Sequence, residues 1–244
     1  KDSLYECYHT FYHPSNMLLF IVGAVEPEAI LKQVRENQQK KEFTAQSEIK
    51  REFPNEPNEV YKKIEKLPMN VQSSKCLVGL KAKNPNRTGK DLLKYELSMN
   101  VLLDILFSKS SQHYEKLYSE GLIDDTFSYD YTEENGFGFA MIGGDTEDPD
   151  KLAEQIKSIL FKAKNEGVDF SNFEAAKNKK IGAFLRAVNS PEYIANQFTR
   201  YAFNEMNLFD VVPTLESLTQ EDITTILNEA IEEELFTVCQ VVPK

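Results

Sequence analysis

The sequence predicts an α+β fold: a mostly antiparallel sheet with helices packed on one face. Three observations carry that expectation. Thr126–Thr132 alternates Phe127, Tyr129 and Tyr131 against Ser128 and Asp130, and Asn135-Gly136 is a strong signal for a hairpin returning through Phe137–Ile142. Cys76–Lys81 alternates in the same way, with Cys76, Val78 and Leu80 on one side. A long pattern from about Lys90 to Phe107 is apolar on much of its surface and reads as a core helix. With 244 residues, 41% of them hydrophobic, and 16 Phe, the chain can build a packed core, so global disorder is excluded. Its length leaves room for one large domain, or one domain plus a piece of another.

The elements follow in order. Asp2–His13 spaces Leu4, Tyr5, Tyr8, Phe11 and Tyr12 along one helix face. Pro14-Ser15-Asn16 is a turn cluster, and Met17–Val22 is an unbroken apolar run suited to a strand buried on both faces. Gly23 ends it. Glu26-Pro27-Glu28 then opens a helix to about Gln38, with proline in the first turn and acids at the positive end of the helix dipole. Ile30, Leu31 and Val34 are its inward residues. The stretch from Gln38 to Asn58 is polar, carries Pro54 and Pro57, and reads as a linker.

Val60–Glu65 is expected as a poorly alternating strand, and Asn84–Gly89 as a turn cluster. Ser110–Glu120 reads as a short helix stopped by Gly121. Gly143-Gly144 is expected to end the return strand of the hairpin, and Asp148-Pro149-Asp150 to open a helix to about Lys164. Helices near Ser171–Val188, Pro191–Phe203 and Thr219–Glu232 precede a last strand, Leu235–Val242. Gly23 to Pro27 and Gly144 to Pro149 share one pattern: apolar strand, glycine, acidic Pro-capped helix. Either a duplicated unit or recurrent turn chemistry produces it.

Bulk charge narrows the function classes. A net charge of −11 argues against a nucleic-acid binder, which needs Lys and Arg for the phosphates. An acidic chamber for basic peptides is one reading of that charge; plain solubility is the simpler one. Cys7, Cys76 and Cys239 form no close pair in sequence, which points to a reducing, cytoplasmic compartment and to neither a disulfide framework nor a zinc finger. No apolar run approaches the roughly 20 residues needed to span a bilayer, so no membrane partner is expected. No signal-peptide pattern opens the chain, and Lys1 is expected to be a truncation boundary.

Candidate chemistry is sparse. His9 and His13 have the four-residue spacing of a helical zinc pair, but Pro14 biases His13 out of the helix and no glutamate between them could serve as base. Surface polar residues are the simpler reading. His113 is expected to be an exposed helix residue. Gly136-Phe137-Gly138 with Gly143-Gly144 does not make a dinucleotide fingerprint, and Gly89-Lys90-Asp91 lacks the glycine and hydroxyl of a P-loop. Lys177–Lys180 reads as a solvated basic face. Arg200-Tyr201 either lines a groove or belongs to an ordinary amphipathic helix.

One stretch carries a resemblance. Tyr12-His13-Pro14-Ser15-Asn16-Met17, an apolar strand and Gly23 resemble the segment near the middle of pitrilysin/insulinase-type (inverzincin) zinc metallopeptidases, a family that includes mitochondrial processing peptidase. There the segment closes the N-terminal catalytic domain and leads into a related C-terminal domain. The resemblance implies that residues 1–40 end a preceding domain, 41–57 are a linker, and 58–244 form an inverzincin-like C-terminal domain. The family's catalytic H-x-x-E-H string, two zinc imidazoles and a water-activating glutamate, does not occur here. Zinc is therefore expected in the missing N-terminal half, with no cofactor in this chain.

The family's C-terminal domain also carries a string like L-R-x-x-G-L-x-Y, whose Arg and Tyr help hold the peptide substrate and its oxyanion. The matching stretch is Leu117 to Asp124: Tyr118 stands at the Arg position and Asp124 at the Tyr position. The frame is kept and both functional side chains are replaced, which places these positions at the chamber wall without the usual role. Read from the residues alone, Gly121 is a helix cap and Asp124-Asp125 are turn residues. Some bacterial relatives are two-chain enzymes in which one chain supplies zinc and the other the Arg/Tyr pair. The resemblance thus implies a peptide substrate, and either a related second subunit or a homodimer. It leaves two functions: the non-catalytic half of a zinc peptidase, or a catalytically inactive partner subunit. Without sheet neighbours, Met17–Val22 is also a self-association liability.

Overall fold

In the computed structural model, the described residues are 1–43, 45, 48–50, 57–83, 85–134 and 136–244. Among them, five strands form one sheet in the order β1-β5-β2-β4-β3. The strands are β1 (Ile64–Met69), β2 (Ser74–Lys81), β3 (Ser128–Glu134), β4 (Phe137–Thr146) and β5 (Phe236–Pro243). β1 runs parallel to β5; β2–β5, β2–β4 and β3–β4 are antiparallel. The expectation of a mostly antiparallel α+β sheet holds. Pro68 sits in β1, at a sheet edge, where its missing N–H costs no ladder bond.

The side-chain period of two divides the sheet into unlike faces. Cys76, Val78 and Leu80 of β2 register with Ala140, Ile142 and Gly144 of β4 and with Phe236, Val238 and Gln240 of β5. This face is sealed: Cys76, Val78, Ala140, Ile142 and Gln240 are all 0% exposed. Helix α5 (Pro149–Glu166) packs on β2 and β4 and α3 (Gly89–Phe107) on β3, while α9 (Gln220–Ala230) packs against both helices. The helix α3 is buried around most of its circumference, including Leu92, Leu102 and Phe107, as its all-round apolarity requires.

Local capping chemistry sets the helix starts. Asp148 and Ser190 accept the N–H groups of Lys151 and Tyr193 ahead of Pro149 in α5 and Pro191 in α7 (Pro191–Phe203). Thr219 and Asp222 exchange bonds in a capping box at α9. The helix α4 (Gln112–Ser119) is capped by Ser111 and ends in a Schellman turn: Gly121 has φ +69 and the Leu122 N–H reaches the Leu117 carbonyl at 3.0 Å. A further helix, α6 (Phe173–Ala187), agrees with the pattern read near Ser171–Val188.

Several expectations are corrected. Met17–Val22 joins no ladder, and Met17, Leu18, Leu19 and Ile21 are exposed. An apolar run supplies the side chains of a strand, but pairing needs a neighbour, and the sheet present starts at Ile64. The preceding helix α1 (Asp2–Phe11) and following helix α2 (Pro27–Gln39) bury no residue, so Ile30, Leu31 and Val34 are not core. The strand expected at Val60–Glu65 lies four residues later, at Ile64–Met69. Gly143-Gly144 does not end β4, which runs on to Thr146. The glycines instead allow close passage: a Cβ on Gly143 would overlap the Cys76 carbonyl oxygen and lie 2.9 Å from its carbon. Sequence reading also missed α8 (Val211–Ser217), a short helix with Pro213 inside it. Most of the linker's middle, Pro54 included, and Asn84 and Asn135 of the two expected turns, lie outside the described residues.

Candidate functional site

Helices cover one face of the sheet, and the other face is apolar as well. Leu77 of β2, Phe137, Phe139 and Met141 of β4, and Cys239 of β5 point away from the helices. Leu77, Phe137 and Met141 are 39%, 54% and 46% exposed. Phe137 and Phe139 stack with ring centroids 6.5 Å apart. These side chains line a groove of about 520 Å³ whose floor crosses Gly79 and whose far wall is Val60, Tyr61 and Lys62.

The groove's charges are engaged at its margins. Lys81 donates to the carbonyls of Pro57 (2.6 Å) and Glu59 (3.2 Å), while Lys62 pairs with Glu65 at 2.6 Å. No carboxylate belongs to the groove lining among the described residues. Such a surface can hold apolar side chains of an extended chain. It offers neither a nucleophile–base pair nor a ligand set. Among the described residues no group of three or more His, Cys, Asp and Glu is placed to hold a metal ion. The zinc implied by the resemblance therefore does not fit the residues present.

The sequence-predicted positions lie elsewhere. Tyr118 is exposed on α4 and stacks on Tyr114 at 6.0 Å. Asp124 accepts bonds from the Thr126 N–H (2.8 Å) and hydroxyl (2.6 Å), so it braces the turn into β3. The same Thr126 hydroxyl accepts the Asp145 N–H at 2.8 Å, which ties that turn to the end of β4. Neither Tyr118 nor Asp124 lines the groove. His9 packs against Tyr5 and Tyr8 on α1, whereas His13 caps a short turn and bonds Ser15. His113 is half-buried, not exposed; burial, with Lys162 and Lys116 nearby, lowers its pKa.

The basic residues do structural work. Arg200 on α7 is clamped by Glu96 of α3 and Glu134 of β3 at 3.2 and 2.6 Å, and it reaches the Thr132 hydroxyl at 3.0 Å. Burial pushes the Glu96 carboxyl up to about 7, against the pull of Arg200. Tyr201 beside Arg200 is core. Lys177 is not solvated: it donates to the carbonyls of Glu216 and Leu218 and so caps the end of α8. Lys179 pairs with the buried Asp104 at 2.8 Å.

The model of the M16 peptidase inactive domain matches residues 1–180. The chain belongs to the M16 (pitrilysin-like) peptidase family. It matches that family's inactive, C-terminal domain, in agreement with the resemblance read from Tyr12–Met17. This M16 domain is 62% identical over 244 residues to the uncharacterized zinc protease YmfH of Bacillus subtilis, covering 100% of the chain and 57% of that protein. An M16-like peptidase from Alicyclobacillus acidocaldarius superimposes with a TM-score of 0.93 at 34% identity, over 100% of this chain and 58% of that one. A protease from Helicobacter pylori shares the fold, with a TM-score of 0.84 at 16% identity over 99% of this chain and 58% of that one. The chain thus spans a little over half the length of these relatives. No helix among the described residues is long and apolar enough to cross a membrane.

The groove is a candidate surface that sequence reading missed. Its signal was present: Phe137, Phe139, Ala140, Met141 and Ile142 make β4 apolar on both faces, the mark of a strand covered on both. Helices cover only one.

Proposed function

We propose that this M16 domain is the non-catalytic half of a zinc-dependent peptidase, and that its helix-free sheet face is a wall of the chamber that encloses the peptide. The observation that carries this reading is the apolar groove of Leu77, Phe139 and Met141 on a face that no helix among the described residues covers. The relative from Bacillus subtilis is named a zinc protease and is longer than this chain. Zinc belongs, on this reading, to the catalytic domain that residues 1–40 close; 41–57 link it to the inactive domain 58–244. The exposed apolar residues of α1 and of Met17–Val22 then pack within that preceding domain. A related second subunit, or a second copy, supplies the opposite wall. The location is cytoplasmic, as the three free cysteines suggest.

A second reading has its own support. Tyr118 and Asp124 replace both members of the family's substrate-holding pair, and Asp124 is committed to a turn. In a two-chain enzyme that loss fits the zinc-bearing chain; only a parent that lacked zinc as well would be a partner subunit without activity of its own. Metal analysis separates the two. About one zinc per full-length chain, and none on residues 1–244 alone, supports the peptidase half. No zinc on the full-length protein supports the inactive partner.

A further inference from the structure

The helix α7 buries only Tyr201 fully, so much of its seat rests on polar bonds at its C-terminal end. Arg200 is shared there by two carboxyl groups. Oε1 of Glu96 on α3 accepts from both Nη1 and Nη2 at 3.2 Å, and Glu134 of β3 accepts from Nε at 2.6 Å. The Thr132 hydroxyl accepts a further bond from Nη2 at 3.0 Å. Asn204, just past the helix, also donates to Glu134, and its carbonyl accepts the Gly89 N–H of α3 at 2.9 Å. The same helix carries Phe198, whose ring stacks on Phe20 with centroids 4.2 Å apart and lies 6.3 Å from that of Phe209. Phe20 is half-buried, while Met17, Leu18, Leu19 and Ile21 beside it are exposed. One short helix thus joins a buried polar cluster to the N-terminal segment.

We propose that the Glu96–Arg200–Glu134 bridge is a proton-dependent latch on α7, and that α7 passes the state of the latch to Met17–Val22 through Phe198 and Phe20. The charge count gives the reason. One guanidinium faces two carboxyl groups, and Asp130 of β3 adds a further negative charge nearby. With Glu96 protonated, Arg200 and Glu134 balance. With Glu96 ionised, a buried carboxylate has only a share of one cation. The surrounding charges are engaged elsewhere. Lys94 and Asp104 of α3 pair with Asp222 of α9 and Lys179 of α6 at 2.6 and 2.8 Å, and Arg87 faces Glu133 and Glu229. Lys180 of α6 faces Asp104 and Asp130, and burial lowers its pKa. Tyr193 and Tyr201 of α7 stay neutral, because burial raises both phenols. Burial holds the Glu96 carboxyl at about 7 against the pull of Arg200, above its ordinary value of 4.5. Lifting α7 returns Glu96 to water and to that ordinary value. The docked helix is therefore favoured in full below about pH 4.5 and loses that advantage as pH rises through about 7.

The test uses the full-length protein with a trifluoromethyl-labelled phenylalanine at position 20, whose fluorine resonance reads the surroundings of that ring. Hydrogen exchange, expressed as protection so that the intrinsic pH dependence drops out, reads α7 at residues 191–203 and α5 as a reference. Between about pH 5.5 and about pH 8.5, protection of α7 is expected to fall about ten-fold while α5 holds, and the fluorine resonance is expected to shift over the same range. Glu96→Gln keeps an acceptor for Arg200 without a charge, so it is expected to keep α7 protected throughout and to flatten both curves. Phe198→Leu is expected to leave the α7 curve and abolish the fluorine one. Histidine titrates in the same range, so Glu96→Gln is the deciding variant. A pH response that survives in Glu96→Gln overturns Glu96 as the group that holds the proton. A response of α7 with no shift at position 20 overturns the transmission to Met17–Val22. Flat α7 protection in the unsubstituted protein overturns the latch altogether, whether or not the Glu96 variant folds.

Discussion

Gly143→Ala is the sharpest structural prediction, because β4 passes β2 at a distance only glycine permits. Gly143 has φ +155, a backbone region L side chains rarely adopt. A Cβ there would overlap the Cys76 carbonyl oxygen and sit 2.9 Å from its carbon and 3.0 Å from the Leu77 Cα. These are backbone atoms of a central strand, so no side chain can swing away. Overpacking costs about 1–3 kcal/mol, and holding alanine in this backbone region adds about 1–3 kcal/mol. The sum, about 2–6 kcal/mol, is a large fraction of the 5–15 kcal/mol typical of a domain. Gly121→Ala is the control: it also sits at positive φ, but nothing lies within 4 Å of its Cβ, so strain alone of about 1 kcal/mol is expected. Urea unfolding followed by circular dichroism measures both. A Gly143→Ala loss no larger than that of Gly121→Ala would refute the close crossing of β2 and β4, and with it the register that aligns Leu77 with the groove.

Other predictions follow from the polar interior and the N-terminal segment. Burial raises the Glu96 pKa to about 7 from an ordinary carboxyl value, so its contribution to stability is fully present below about pH 4.5 and is lost as pH rises through about 7. Wild type should lose stability between about pH 5 and pH 8, and Glu96→Gln should flatten that slope in urea titrations. Lys177→Met strips the carbonyls of Glu216 and the buried Leu218 of a donor and should cost about 1–3 kcal/mol, with faster hydrogen exchange in α8. Phe20 stacks on Phe198 of α7 with centroids 4.2 Å apart, and Phe198 also packs against the core, so Phe198→Ala should expose Met17–Val22 to faster limited proteolysis and cost the domain about 1.5–3 kcal/mol.

Legibility in the sequence followed the locality of each signal. Caps, hairpin and helix faces depend on residues a few positions apart, and Asp148 and Gly121 open and stop their helices as expected. Sheet order was not readable, because the parallel β1–β5 pair joins residues at opposite ends of the domain. β1 was misplaced because Glu65, Lys66 and Pro68 interrupt its pattern, as an edge strand tolerates. The helix α8 was hidden by Pro213, which within a seven-residue helix sits in the first turns where no N–H is missed. Met17–Val22 shows the opposite failure: it has the composition of a buried strand, yet no strand among the described residues pairs with it. At the candidate site, Tyr118 and Asp124 stand out by a local motif, whereas the groove arises from the outward residues of β2, β4 and β5 converging. Only the pairing register brings them together.

The most direct test of the account locates the peptide on the sheet. A peptide bearing one benzophenone side chain, irradiated with the full-length protein and digested, reports the residues it touches by mass spectrometry. Crosslinks are expected at Met141, Leu77 and Phe139 on the open face, and their loss in Met141→Asp, an exposed substitution that leaves the sealed core untouched. Crosslinks confined to α4 around Tyr118, or to the helix-covered side at α5 and α9, would contradict the claim that the helix-free face is the chamber wall.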